Sequence, residues 1–318
     1  MLPTRQGSIR LFRFAGIDVY LHWSWLLLLI AAYGIRARLN DSSVLPWPFL
    51  DYLSLFAIVL MHEFGHALAC RQVGGRASQI MLWPFGGVAY VSPPPRPGAT
   101  LWSIAAGPLV NVALAPIFTG LTFLAYNSGW PQTMPNAYVF LRTICLINFL
   151  LLFFNLLPIY PLDGGQILQS LLWFVLGRSR SLLVASLIGF IGVAGLFVVA
   201  LVVWSKGYTF HASWIFAISV IILLNCWGGL RHARLLARVA KLPRRSGFAC
   251  PSCRQPPIRG ILWRCSTCFE PFDTFETGAV CPHCGTQFPV TQCLDCGASR
   301  PIAEWVQPPP IPVDSRLA

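Results

Sequence analysis

Long apolar runs, separated by short polar or basic stretches, occupy residues 20–230, and the pattern then stops. Crossing a bilayer takes about 20 mainly apolar residues. By that measure six spans are predicted, approximately 20–36, 51–70, 100–125, 137–157, 182–204 and 211–230. Two stretches break the pattern. Residues 77–98 contain Trp83-Pro84-Phe85-Gly86-Gly87 and then Pro93-Pro94-Pro95, too many breakers for a helix. Residues 158–165, Pro158-Ile159-Tyr160-Pro161-Leu162-Asp163-Gly164-Gly165, interrupt the end of the fourth span, and 166–177 are predicted as a short helix near the inner surface. Non-helical backbone at membrane depth is tolerated only where protein buries it or where it lines a wet cavity.

Composition agrees with the pattern. The chain of 318 residues is 55% hydrophobic and 11% charged, with a mean hydropathy of +0.62; soluble domains carry about 25% charged residues. The net charge of +12 comes from basic residues beside apolar runs: Arg5, Arg10 and Arg13, Arg71 and Arg76, and the series Arg231 to Arg245. Such placement marks the cytoplasmic side of spans rather than a nucleic-acid surface. With the N-terminus inside, Arg96, Arg178 and Arg180 also fall inside, while Arg36, Arg38 and Lys206 fall outside. The expectation is a multi-pass protein of the cell membrane with both termini cytoplasmic. The first apolar run is long and no small-residue cleavage site follows it, so it is expected to remain as a span.

After residue 245 the character changes. Eight of the eleven cysteines form four Cys-x-x-Cys pairs, Cys250/Cys253, Cys265/Cys268, Cys281/Cys284 and Cys293/Cys296, separated by 11, 12 and 8 residues. Eight thiolates suit two tetrahedral structural zinc ions, and a reducing cytoplasmic side agrees with free thiols. Sequential ribbons are the simple pairing, although the loops are shorter than the usual 15–20 residues, and an interleaved cross-brace is the alternative. The domain plan is therefore 1–245 in the membrane, 246–305 as tandem or interleaved zinc ribbons, and 306–318 as a flexible proline-rich end. Residues 250–318 hold five Arg against six acids, too little positive field for nucleic acid. Cys70, Cys145 and Cys226, in or beside apolar runs, are expected to act as small hydrophobes.

Between residues 52 and 249 the only acids are Glu63 and Asp163. A charge at mid-membrane costs about 2.5–3.5 kcal/mol on insertion scales, which makes both candidates for function. Glu63 lies in His62-Glu63-Phe64-Gly65-His66. On a helix the two imidazoles are one turn apart on one side, the arrangement that binds zinc, and Glu63 is offset as a general base must be. A catalytic zinc usually has three protein ligands and an open position. The third must come from elsewhere, and Asp163 is the only other acid in the membrane block after residue 51.

These residues, together with Gly86-Gly87, Gly107-Pro108-Leu109-Val110-Asn111 and Asn155-Leu156-Leu157-Pro158-Ile159-Tyr160-Pro161-Leu162-Asp163-Gly164, resemble the site-2 protease family of intramembrane metalloproteases over roughly residues 8–230. The resemblance implies an all-α polytopic membrane protein of about six transmembrane helices with a membrane-embedded hairpin at Gly86-Gly87. It implies that His62, His66 and Asp163 bind the catalytic zinc, that Glu63 activates water, and that Asn155 helps hold the scissile peptide or its oxyanion, with Pro161 shaping the loop. The implied substrate is a membrane-spanning protein, cut within or beside its transmembrane segment. The tail resembles zinc-ribbon modules broadly, which implies a cytoplasmic protein partner that recruits or gates substrate. Two rival functions carry the same residues: an inert, membrane-anchored ribbon adaptor, and a metal transporter.

Several lesser positions have plainer expectations. His22 and His211 fit interfacial or packed roles. Asn111, Asn148 and Asn225 are expected to bond between helices rather than touch substrate. Gly65 and Gly107 are expected to let helices approach closely.

Overall fold

The computed structural model describes residues 7–27, 30, 46–83, 86–295 and 298–306. The chain forms two compact units, Met1–Leu236 and Ala237–Ala318.

In the first unit, five of the described helices are long and apolar enough to cross a membrane: α1 (Trp47–Gln72), α2 (Pro97–Asn127), α3 (Pro135–Leu156), α5 (Arg178–Ser205) and α6 (Thr209–Val239). The protein is thus a multi-pass membrane protein. Between α3 and α5 lies α4 (Asp163–Leu176), whose 14 residues reach about 21 Å and do not cross a bilayer core of about 30 Å. Proline opens α1, α2 and α3, where a missing N–H leaves no bond unmade. At the other end of α1, Gly74 takes a φ of 85°, a left-handed turn that stops the helix. Residues 28, 29 and 31–36 of the first predicted span lie outside the described residues.

The helices are joined by a four-stranded sheet that the sequence pattern did not announce. Strands β1 (Ser8–Phe14), β2 (Ile17–His22), β3 (Arg76–Trp83) and β4 (Gly86–Ser92) are ordered β1-β2-β3-β4. β1 and β2 are antiparallel, β2 and β3 parallel, and β3 and β4 antiparallel. The expected hairpin at Gly86-Gly87 is the β3–β4 pair. The start of the first predicted span is strand instead, since residues 20–22 complete β2.

Parallel strands require a long crossover, and here it contains α1, the helix with both histidines. Ile17, Val19, Ala77, Ile80 and Leu82 of the sheet form one core with Val59 and Ala67 of α1 and with Trp25. Arg71, expected only as a marker of membrane side, fastens helix to sheet. Its guanidinium donates to the carbonyls of Ala15, of Gly16 at 3.1 Å and of Ala77 at 3.0 Å.

The second unit is small and built around its cysteines. Short strands β5 (Trp263–Arg264) and β6 (Pro271–Phe272) flank the second pair, and β7 (Thr291–Gln292) and β8 (Ser299–Arg300) flank the fourth. The pairing of knuckles departs from the simple sequential expectation. Cys265, Cys268, Cys281 and Cys284 form one cluster, and Cys250, Cys253 and Cys293 another. The second pair joins the third, and the first joins the fourth, a nested order that also differs from a cross-brace. Cys296 lies outside the described residues.

The cause is closure of the chain end. The backbone N–H of Ala249 bonds the carbonyl of Trp305 at 2.8 Å. Phe275 collects Phe248, Trp263 and Trp305 around its ring at 5.3, 5.3 and 5.0 Å between centroids. This draws the first and last knuckles together over the aromatic core. In the inner cluster the sulfurs of Cys265 and Cys284 are 3.5 Å apart and those of Cys268 and Cys281 3.6 Å. Four thiolates around zinc at about 2.3 Å would stand about 3.8 Å apart, so the cluster has nearly that spacing. The backbone N–H of Cys268 draws the thiol of Cys265 down to about 6, toward the thiolate that binds metal.

Arg244 and Arg245, at the end of the basic series, are paired within this unit. Arg244 forms a two-pronged pair with Asp295 at 2.9 and 3.0 Å, and Arg245 bonds Asp273 at 2.6 Å. The two compact units divide at 236/237, within the last turn of α6.

Candidate metal centre and active site

His62 and His66 project from α1, both buried to within 6% exposure, with Glu63 beside them at the same level. Asp163 opens α4 and is brought in by the loop at residues 157–162. Two glycines permit that approach. A Cβ on Gly164 would meet the carbonyl oxygen of Leu156 at 2.3 Å, and one on Gly165 would meet the backbone N of Tyr160 at 2.4 Å. Behind the loop, Ile159 packs with Val193, Ile222 and Cys226 of α5 and α6. The Cys226 thiol donates to the Tyr160 carbonyl at 2.8 Å, so this cysteine braces the loop besides filling space.

The result is a tight triangle. His62 Nε2 is 3.0 Å from Asp163 Oδ2, His66 Nε2 is 3.3 Å from the same oxygen, and the two Nε2 atoms are 3.1 Å apart. Three residues separated by 101 positions in sequence have met at one point. Asn155, on the last turn of α3, stands at its rim with Nδ2 3.5 Å from His62 Nε2.

The other ring nitrogens are engaged behind the triangle. His66 Nδ1 donates to the backbone carbonyl of Ser103 at 2.9 Å. A carbonyl only accepts, so that nitrogen carries the proton, and in the neutral ring Nε2 is then the lone pair that faces inward. His62 Nδ1 lies 2.6 Å from Asn111 Oδ1.

Glu63 turns away from the triangle's back wall and toward the sheet. Its Oε2 accepts from the backbone N–H of Ala89 in β4 at 2.8 Å. A Cβ on Gly87 would lie 2.3 Å from Glu63 Cγ and 2.5 Å from Oε1. Only glycine lets the strand come this near.

Zinc is the ion such a donor set implies, and the residues fit it. Ligands at about 2.0–2.1 Å around a tetrahedral zinc are about 3.3 Å apart, and the three edges here run from 3.0 to 3.3 Å. Gly107 supplies a second sign. A Cβ there would come 2.2 Å from His66 Nε2 and 2.8 Å from His62 Nε2. The missing side chain keeps the space beside both imidazole nitrogens clear. Gly65 has the plainer role expected of it: a Cβ would strike the carbonyl oxygen of Ala106 at 2.7 Å where α1 crosses α2.

Of the lesser positions, Asn111 and Asn148 do bond between helices. Asn225 does not: its amide donates to Ile221 within α6 at 2.8 Å. His22 is packed locally, accepting from the backbone N–H of Ser24, and His211 stands exposed among Tyr208 and Phe210. Sequence reasoning missed the N–H of Ala89 and the contact of Asn111 with His62. A buried amide at the end of Gly107-Pro108-Leu109-Val110-Asn111, on the helix that faces the histidines, was the available signal for the second.

Comparison with known proteins supports the same class. The model of Peptidase family M50 matches residues 52–139 and 132–199. A zinc metalloprotease of Methanocaldococcus jannaschii is 35% identical over 182 residues, 57% of this chain and 50% of that protein. A protein of Synechocystis, provisionally named as a zinc metalloprotease, is 31% identical over 242 residues, 72% of this chain and 61% of its own length. Among solved structures, the site-2 protease of M. jannaschii covers 70% of this chain and 95% of its own, with 26% identity and a TM-score of 0.49. The chain spans between half and about three fifths of the length of the two curated relatives. Over residues 52–199 its membrane unit is similar to the peptidases of family M50.

Proposed function

We propose that the chain is a zinc endopeptidase of the site-2 protease type, cutting membrane proteins within or next to a transmembrane segment. His62, His66 and Asp163 hold the ion. The observation that carries this reading is the meeting of two imidazole nitrogens and one carboxylate oxygen within 3.3 Å of one another, inside a protein with only two acids between residues 52 and 249.

Held by these three residues, zinc would supply Lewis-acid chemistry, polarising a peptide carbonyl and making water acidic enough for Glu63 to deprotonate. Glu63 takes a proton from the attacking water and returns it to the leaving amine. One of its oxygens is held by the Ala89 N–H, which leaves Oε1 on the side where Gly87 has no side chain to cover it. Asn155 lies beside the ligands with its amide Nδ2 3.5 Å from His62 Nε2, a donor suited to the carbonyl oxygen under attack. A helical substrate has its carbonyls bonded internally and must unwind before it reaches Glu63. The cysteine unit binds two structural zinc ions, faces the cytoplasm with both termini, and recruits or gates substrate.

The test is cleavage of a model membrane substrate by the purified chain in liposomes, beside the Glu63→Gln variant. Cleavage by the first and none by the second is expected. Metal flux across the vesicle without peptide-bond cleavage would contradict the reading in favour of a transporter.

A further inference from the structure

Four buried polar groups lie in a row behind the metal centre, crossing three helices. His62 Nδ1 is 2.6 Å from Asn111 Oδ1, Asn111 Nδ2 donates to Asn148 Oδ1 at 2.9 Å, and Asn148 Nδ2 donates to the backbone carbonyl of Asn111 at 3.0 Å. Asn111 and Asn148 are both 0% exposed. In a lipid-embedded bundle such amides have no water to turn to.

The row has a definite polarity because one end is a backbone carbonyl. That oxygen only accepts, so the atom of Asn148 facing it is the NH2 group. The oxygen of Asn148 therefore faces Asn111, which must present its own NH2 there. The oxygen of Asn111 is then the atom facing His62, and His62 must donate from Nδ1. Amide orientations are assigned through their networks. Here each assignment follows from the one before it, beginning at a group with no choice.

We infer that Asn111, oriented by Asn148, is a positioning residue that fixes His62 as its Nδ1–H tautomer, so that the Nε2 lone pair points to the ion. The inference rests on reading the triangle as a metal centre. His66 gains the same tautomer from the Ser103 carbonyl, but the device for His62 is a side chain on a second helix, itself held by a third. Loss of such an outer partner typically lowers metal affinity about 10–100-fold. The pair does more than join helices: turning the Asn111 amide over would present NH2 to the ring and select the wrong tautomer.

The experiment is zinc retention by the purified full chain under graded chelator, comparing the wild type with Asn111→Leu, Asn111→Asp, Asn148→Leu and His62→Ala. The His62→Ala chain defines the zinc that belongs to the cysteine unit. Asn111→Leu is expected to weaken the membrane site about 10–100-fold, whereas Asn111→Asp, which keeps an acceptor for Nδ1, stays within about threefold of wild type. Asn148→Leu falls between them. In metal-stripped, histidine-15N-labelled protein, the His62 resonance should show the Nδ1–H tautomer in wild type and a mixture in Asn111→Leu. If Asn111→Leu binds zinc as wild type does, the inference is wrong. If Asn111→Asp falls as far as Asn111→Leu, the row serves packing alone and the inference is again wrong. A wild type that holds no more zinc than His62→Ala would overturn the metal reading instead, and the tautomer measurement would still decide the role of Asn111.

Discussion

The Glu63 carboxylate in α1 accepts the backbone N–H of Ala89 in β4 at 2.8 Å, so the proposed base and the sheet edge are joined by one hydrogen bond. The contact ties the two sequence features that straddle the loop of the hairpin: an acid on a membrane helix, and a glycine pair that lets a strand lie against it. Whatever displaces β4 displaces the base.

Gly87→Ala should test that coupling. The added methyl would fall 2.3 Å from Glu63 Cγ, and misplacement by about 1 Å can lower a rate about 100-fold. The expected outcome is a loss of that size in cleavage with zinc content of the membrane site unchanged, read by substrate turnover and metal analysis on the same preparation.

Gly107→Ala should give the reverse pattern. Its methyl would stand 2.2 Å from His66 Nε2 and 2.8 Å from His62 Nε2, against the proposed ligand nitrogens. Zinc at the membrane site should be lost and cleavage with it, while the cysteine unit keeps its metal. Overpacking of this kind destabilises by about 1–3 kcal/mol, so a modest drop in thermal stability should accompany the loss.

Glu63→Gln should keep zinc and lose about 100- to 10,000-fold in cleavage, the usual share of general-base catalysis. The amide oxygen can still accept from Ala89, so the sheet stays in place. Co-purification of an uncut membrane protein with this variant would identify the substrate.

The nested knuckles make a prediction of their own. Cys265→Ser and Cys281→Ser should each destabilise the same zinc, and Cys250→Ser and Cys293→Ser the other, as read by zinc stoichiometry and by reactivity of the remaining thiols. Trp305→Ala, at the seam that closes the chain end, should cost about 3–5 kcal/mol and loosen the outer cluster first.

Much of the site was legible in the sequence because its chemistry is rare where it occurs. Histidines and acids are so scarce in the membrane block that His62, Glu63, His66 and Asp163 stand out without any knowledge of the fold. The sheet was not legible. Ile9, Arg10, Leu11, Phe12 and Arg13 look like a basic flank before a span, and β2 finds its parallel partner only after a crossover of more than fifty residues, in the register Asp18↔Gln79. Nothing local encodes that pairing. The cysteine pairing was hidden for a similar reason, since spacing alone favours neighbours and the nested order depends on Trp305 returning to Ala249. Arg71, Arg244 and Arg245 have structural bonds that their positions did not announce: they pair with carbonyls or carboxylates within the fold.

The most direct measurement is an anomalous diffraction map at the zinc edge from crystals of the full chain. The account predicts a peak about 2.0–2.2 Å from Nε2 of His62, Nε2 of His66 and a carboxylate oxygen of Asp163, separate from the peaks in the cysteine unit. Zinc found only among the cysteines of a zinc-replete, active preparation would contradict it.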